Sequence, residues 1–444
     1  MNNTCLELVF PAVVGREVVA RCDGGDITSD AGLLLVSLAD KKLGLTEAMA
    51  GCLTDTRQQS KVEHSSVEIT RERVYAICQG YDDANDLDVL GSDPALKVAC
   101  KHLPKSGGDL ASQPTISRFE NMPSARDQLR VAKRMAEKVI SRLDVGTRQV
   151  IVDVDPTDDP TYGQQELEFF NGYYGEHCFL PMHIHISTDD GRQRILGSVL
   201  RAGNSSVPKG LKGILRIVVR LLRNRLVDAQ IILRADSAFG VCEVIELCRH
   251  LGIDYVLGIK GNNVLHSLSA PVQMDACLKY GWDGDGCREY GEFEYAAGTW
   301  RDKQRVVIKA EITQGQLNPR FVVTSLGKMS CEDVYEFYCA RGNQENRIKE
   351  MKLDLSSGRT SCHLFLANQF RLLLHTAACM LMSVLQDALA RTRWAKAQVG
   401  TLRTRLLKVG ARVVETTRKI WFHLPSSFPE QDTWRRMFAA LVYD

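Results

Sequence analysis

Several common classes of protein are excluded by what this sequence does not contain. Its 14 cysteines run from Cys5 to Cys379 with no Cys-x2-Cys pair and no Cys/His ligand spacing, so they read as core thiols of a reducing compartment. His183 and His185 can share one strand face, but with no third ligand nearby they read as ordinary strand histidines rather than a zinc site. Neither common Gly-rich phosphate loop is present, and no nucleotide cofactor is expected. The most apolar long stretch, 370–390, carries Arg371, His375 and Asp387, so it predicts a buried helix rather than a membrane span. The opening 19 residues lack a basic region and are interrupted by Glu7 and Arg16; no signal peptide is readable and a cytoplasmic location is expected. Internal repeats and low-complexity tracts are also missing. The net charge is only +2, from 56 basic and 54 acidic residues, which taken whole advertises neither nucleic acid nor a membrane surface.

What is present is ordinary globular composition, 44% hydrophobic and 25% charged, over 444 residues. That length is about three times a typical domain, so two or three domains are expected. Residues 1–145 read as a mainly helical N-terminal domain with periodic segments at 31–43, 66–79 and 125–143. Within it, Ser112-Gln-Pro-Thr-Ile-Ser-Arg118-Phe-Glu120 has a capping residue, an early proline and a following arginine. It suits either an ordinary capped helix or one that opens onto DNA.

From residue 149 the pattern turns to strands. The run 149–155 is a first strand, and 179–186 and 194–200 flank the turn signal Asp189-Asp-Gly191; a basic helix follows at 208–226, then a strand at 230–234, a helix at 242–250 and a strand at 255–260. Residues 261–326, rich in glycine and aromatics, predict a β-rich insertion, and 331–355 predicts one long helix. This order implies an α/β layer arrangement with a mixed sheet, divided as 146–260, the insertion, 327–390 and a basic C-terminal segment 391–444.

Three acids stand where ligands gather. Asp155 and Asp236 each close an apolar strand, and carboxyl ends of neighbouring strands in an open sheet are binding positions. Two carboxylates side by side repel, and divalent cations are the natural means of keeping both ionised. Along the 331–355 segment, Tyr338, Arg341, Glu345 and Lys352 fall at offsets 0, 3, 7 and 14, which at about 100° per residue puts all four on a face about 60° wide. Such a face is either solvated or suited to phosphates, with Arg for bidentate contacts, Lys as a point charge and Glu toward a metal.

At these residues the chain resembles a family. Tyr338-x2-Arg341-x3-Glu345-x6-Lys352 is similar at every spacing to the signature of the DDE transposases of bacterial insertion sequences. Asp155-Pro-Thr157 resembles the first acid motif and Arg234-Ala-Asp236-Ser-Ala-Phe239 the second. Further resemblance to the group 1 members runs through Gln113 to Phe119, Gly163-Gln-Gln165, Asn171-Gly-Tyr-Tyr174 and 412–424. The resemblance implies a ribonuclease-H-like catalytic domain carrying the β-rich insertion, beside a helical DNA-binding domain that includes Arg118. It implies that Asp155, Asp236 and Glu345 are the catalytic acids and hold two Mg²⁺, with Mn²⁺ able to substitute. Tyr338, Arg341, Lys352 and the neighbouring Lys349 would contact DNA, and Trp300 would either stack on a flipped base or pack in a hairpin. The implied activity is binding of terminal inverted repeats, DNA cleavage and transfer of the 3′ ends to target DNA, by a homodimer in the synaptic complex of a nucleoid-associated protein, with no membrane partner.

Other readings start from the same residues. Asp153 lies two positions before Asp155 and competes for the place of first acid. Asp153-Val-Asp155-Pro-Thr157 also resembles the nucleophile loop of haloacid-dehalogenase phosphatases, although a hairpin follows where that family needs a crossover helix. A catalytically inactive or domesticated DNA-binding protein is a further alternative. Charge by segment sharpens the choice. Residues 149–191 hold nine acids and no Lys or Arg, 201–226 hold seven bases and no acid, and 391–424 hold nine bases against Glu415. Near-neutrality is thus a cancellation between an acidic cluster suited to cations and basic stripes suited to DNA phosphates.

Overall fold

The computed structural model describes residues 7–283 and 286–443, so Cys5 lies outside the described residues. They form two compact units, Met1–Ser124 with Asp354–Ser356 and Ala377–Asp444, and Ala125–Leu353 with Ser357–Thr376.

The second unit is built on a nine-stranded sheet whose strands, numbered along the chain, are β1 (Gln149–Pro156), β2 (Met182–Thr188), β3 (Gln193–Val199), β4 (Gln230–Ala235), β5 (Asp254–Ile259), β6 (Arg288–Tyr295), β7 (Gln304–Thr313), β8 (Gln316–Leu317) and β9 (Arg320–Thr324). Across the sheet the order is β6-β7-β9-β5-β4-β1-β2-β3, with β8 paired to β7. The central β1, β4 and β5 run parallel, whereas β2, β3, β9, β7 and β6 enter by antiparallel pairings. The mixed α/β arrangement read from the sequence is therefore present. Burial explains the strand sequences: Ile231, Ile232 and Leu233 of β4 are all buried, as expected of a parallel strand covered on both faces. In β1, Val150, Val152 and Val154 take one face and leave Asp153 and Asp155 on the other. The β2–β3 turn uses Gly191 at φ +69°, a region closed to most side chains. The helix Leu211–Arg225 packs on the helices Ala125–Ile140 and Cys242–Leu251; it buries Leu211, Leu215, Val218 and Leu222 and exposes Lys212, Arg216, Arg220 and Arg223.

The first unit is helical over Leu33–Leu43, Ser66–Gln79, Pro94–Ala99 and Gln113–Glu120, with a three-stranded sheet of Ile27–Thr28, Ala411–Glu415 and Ile420–His423 and an exposed hairpin, Leu8–Val13 with Arg16–Ala20. Its interior contains ordered polar groups: Arg73 donates to Glu120 at 2.7 Å, and the Tyr75 hydroxyl donates to Asp40 at 2.7 Å.

The 261–326 block carries the expected strands, but they are not the whole of it. It opens with the helices Asn263–Leu268 and Ala270–Asp283, the first capped by Asn262, whose side chain accepts from the Leu265 amide. Its strands β6 to β9 then continue the central sheet. The 331–355 segment is not the single helix expected. Helix Cys331–Cys339 stops, a second helix runs Gly342–Lys349, and Glu350–Asp354 is wound as a π turn. The break precedes Gly342, a poor helix former, where the Arg341 side chain is drawn sideways into ion pairs.

Candidate active site

The register of the parallel strands sets the first two acids. Arg234 lies opposite Asp153 and Ala235 opposite Val154, so one residue further Asp155 and Asp236 leave the sheet side by side. Asp236 begins a turn in which its Oδ1 accepts from the Ala238 amide at 3.0 Å. Glu345 comes from the helix Gly342–Lys349 and is exposed. The three acids sense one another. Burial pushes the Asp155 carboxyl up to about 7, Arg341 opposes this, and Asp236, Glu345 and Asp153 add to it by repulsion.

Arg341 supplies the compensating charge. Its Nη1 lies 3.3 Å from Asp155 Oδ2 and its Nη2 donates to Glu345 Oε1 at 2.9 Å. The Tyr338 hydroxyl sits over β5, where a Cβ at Gly258 would come within 2.5 Å of it; only glycine leaves that space. Burial raises the Tyr338 pKa, with Arg341 and Asp236 both close enough to act on it. Lys352 is turned to the loop after β1, where its Nζ donates to Asp158 O at 2.9 Å and to Thr157 Oγ1 at 3.3 Å. Despite the broken helix, Tyr338, Arg341 and Glu345 thus converge on the Asp155–Asp236 edge, and Lys352 reaches the Thr157–Asp158 loop beside it.

The other expected residues lie apart from this cluster. Lys349 is exposed on the Glu345 helix. Trp300 is in the β6–β7 loop, half-buried and edge-on to Tyr295 at 5.5 Å. Arg118 belongs to the first unit, where it donates to Thr115 Oγ1 at 3.2 Å. The side chain of the expected cap, Ser112, accepts from no backbone amide of the helix it precedes and instead approaches Thr115 Oγ1 at 3.4 Å.

Asp153 is fully buried and held by Arg234, whose Nε and Nη2 donate to its two oxygens at 2.7 and 2.9 Å. Arg234 Nη1 also donates to Phe337 O at 2.6 Å, tying the Tyr338 helix to β4. Sequence reasoning missed this bridge. The register arithmetic that pairs positions 153 and 234 is the signal for it.

Among the described residues no group of three or more His, Cys, Asp or Glu side chains is gathered ready to hold a metal ion. The donor chemistry nevertheless suits a hard divalent cation. Three carboxylates offer oxygen ligands, and burial, with a smaller contribution from the neighbouring acids, disfavours the charged form of Asp155 that a cation would stabilise.

The mixed sheet thus presents two strand-end acids beside a third from a following helix. Residues 10–443 match the family model described as Transposase DDE domain group 1, and the chain belongs to that family. It is thereby a DDE transposase, an enzyme of the nuclease and transferase type that works on DNA in transposition and recombination. No curated protein matches the chain. Among the described residues no helix is long and apolar enough to cross a membrane.

Proposed function

We propose that the protein binds the terminal inverted repeats of its element, cleaves there and transfers the 3′ ends to target DNA, with Asp155, Asp236 and Glu345 as catalytic acids on a ribonuclease-H-like core. The observation that carries this reading is the mutual electrostatic contact of the three acids around Arg341. The order β3-β2-β1-β4-β5, with β2 alone running antiparallel to the other four strands, supports the ribonuclease-H-like assignment.

Asp155, Asp236 and Glu345 would hold two Mg²⁺, or Mn²⁺ in their place, which when bound would activate the attacking hydroxyl or water and stabilise the leaving oxygen. Arg341 then has a second task. Relieved of the carboxylates, its fork can grip a phosphate, with the Tyr338 hydroxyl as a further donor. Lys352, and Lys349 on the exposed side of the same helix, extend this positive line along the backbone of a DNA strand. Two ends must be held together for transfer, so the active assembly is expected to be a homodimer, soluble and associated with the nucleoid. A helical DNA-reading role for the N-terminal segment that includes Arg118 completes the proposal, and base stacking by Trp300 remains part of it.

The phosphatase alternative is disfavoured because its nucleophile, Asp153, is fully buried and bonded through both oxygens to Arg234. A decayed, purely DNA-binding protein is disfavoured by the intact acid set. The deciding experiment incubates the protein with Mg²⁺ or Mn²⁺ and labelled terminal-repeat DNA. Cleavage should vanish in Asp155→Ala, Asp236→Ala and Glu345→Ala, and cleavage that survives any of the three overturns the assignment.

A further inference from the structure

Two buried side chains next to those of the acid cluster, one in strand register and one in sequence, meet each other. His185, on β2 opposite Asp153, is 1% exposed and Gln344 is 0% exposed. Gln344 Nε2 approaches His185 Nδ1 at 3.3 Å. With the amide donating, the ring proton sits on Nε2. That atom and Gln344 Oε1 have no hydrogen-bond partner among the described residues. Burial, aided by His183 and Arg347, keeps the ring uncharged, its pKa well below the ordinary value. Two apolar residues of the same volume would avoid the desolvation cost of this half-satisfied pair, so stability alone is a poor explanation for it.

The position of Gln344 gives a better one, since the next residue is Glu345. The helix that carries them, Gly342–Lys349, is eight residues long. It is separated from the preceding helix at Ala340–Arg341 and runs into the π turn Glu350–Asp354, so neither end is fixed by a continuous α-helix. Irregular turns of this kind recur at functional sites. What seats the segment on the sheet is its buried face, Gln344 and Ile348. Of the two, Gln344 makes a directional bond, and it makes it to β2, whose His183 lies opposite Asp155.

Resting on the reading of Glu345 as a catalytic acid, we propose that His185 and Gln344 are positioning residues whose hydrogen bond sets where the Glu345 helix rests on the strand pair carrying Asp155. Outer partners of this kind orient ligands without touching the reacting atoms, and losing one typically costs about 10- to 100-fold in metal affinity or activity.

The test uses the full chain and three variants. Gln344→Met and His185→Leu remove the bond while keeping volume, and His185→Asn keeps a polar atom close to where Nδ1 lies. Amide hydrogen exchange of residues 342–349, measured without metal, should accelerate about tenfold or more in the first two variants and return toward wild type in the third. The Mg²⁺ concentration for half-maximal cleavage should rise about 10- to 100-fold, while affinity for terminal-repeat DNA in EDTA stays within about twofold. The double variant should be no worse than the worse single one. Folded variants with wild-type exchange at 342–349, or an unchanged Mg²⁺ requirement, overturn the proposal. Should His185→Leu fail to fold, Gln344→Met carries the same comparison. Absence of cleavage by the wild-type protein would count against the proposed function alone, because the exchange experiment needs no activity.

Discussion

Arg341 Nη1 lies 3.3 Å from Asp155 Oδ2, so the cation that neutralises the buried acid belongs to the protein itself. The same guanidinium reaches Glu345, and so occupies the charge-compensating position between two acids that a divalent ion would take. On the proposed metal site, the arginine and a bound metal would therefore compete for the same carboxylates.

One expectation follows for metal-free protein. Arg341→Ala leaves Asp155, Asp236 and Glu345 uncompensated, and loss of hydrogen bonds to charged groups should lower stability by about 1.5–3 kcal/mol. Saturating Mg²⁺ should raise the Tm of Arg341→Ala more than that of wild type, since no guanidinium has to be displaced. Thermal melts in EDTA and in Mg²⁺ measure both quantities. An equal Mg²⁺ shift in the two proteins would mean that Arg341 does not compete with metal.

The Asp153–Arg234 pair separates the two strand acids by experiment. Asp153→Asn strips a fully buried guanidinium of its bidentate partner, and such losses cost about 3–5 kcal/mol. Asp155→Asn removes a carboxyl that burial already disfavours, so the metal-free protein should lose little stability or gain some. Chemical denaturation of the two variants gives the comparison. A stable Asp153→Asn protein would show that Arg234 finds another partner.

Much of this geometry was legible from spacing. Strand alternation around Asp155 and Asp236 and the 338-341-345-352 intervals are local patterns, and each element that carries them is present, although the helix is broken. The illegible parts depend on pairing or on competing local signals. Nothing local to Asp153 announces Arg234, 81 positions away; only the β1–β4 register brings them together. His185 read as an ordinary strand histidine for the same reason, because Gln344 lies 159 positions off. The helices at Asn263–Leu268 and Ala270–Asp283 were hidden by the glycine and aromatic content of the strands that follow them. The interruption at Ala340–Arg341 was hidden because no proline marks it and both residues stay in the right-handed helical region.

In the first unit, Glu72 should govern an alkaline loss of stability. It is fully buried on the helix Ser66–Gln79, accepts from the Ala111 amide through Oε2 at 3.1 Å, and has no partner for Oε1 among the described residues. Burial raises its pKa from 4.5 to about 8. The folded state therefore holds a proton that the unfolded chain releases. This contribution to stability is complete below about pH 4.5, declines as pH rises, and is lost on passing about pH 8, amounting to a few kcal/mol. Glu72→Gln should flatten the stability profile between these limits and melt higher than wild type at pH 8. A wild-type profile already flat between pH 5 and 8 would place the Glu72 proton elsewhere.

The basic helix Leu211–Arg225 offers the last expectation, and it concerns which DNA the protein touches. Lys212, Arg216 and Arg220 are exposed and have no ion-pair partner among the described residues, in a segment, 201–226, that contains no acid. Unpaired cations at 3.6-residue periodicity are the arrangement that releases condensed counterions when laid along phosphates. The helix buries Leu215, Val218 and Leu222, whereas Arg216 and Arg220 are exposed and contribute little to folding. Arg216→Ala with Arg220→Ala should thus alter stability by no more than about 0.5 kcal/mol per site. If both arginines contact phosphates, the slope of log affinity against log salt should become shallower by about 1.8, at about 0.9 per lost contact. Because neither residue belongs to the acid cluster, cleavage at saturating protein should keep its Mg²⁺ dependence. Titrations of terminal-repeat DNA and of unrelated duplex over a salt series divide the outcomes: a slope change with both marks a general backbone contact, a change with terminal DNA alone places the helix on the transposon end, and an unchanged slope leaves the stripe as solvated surface.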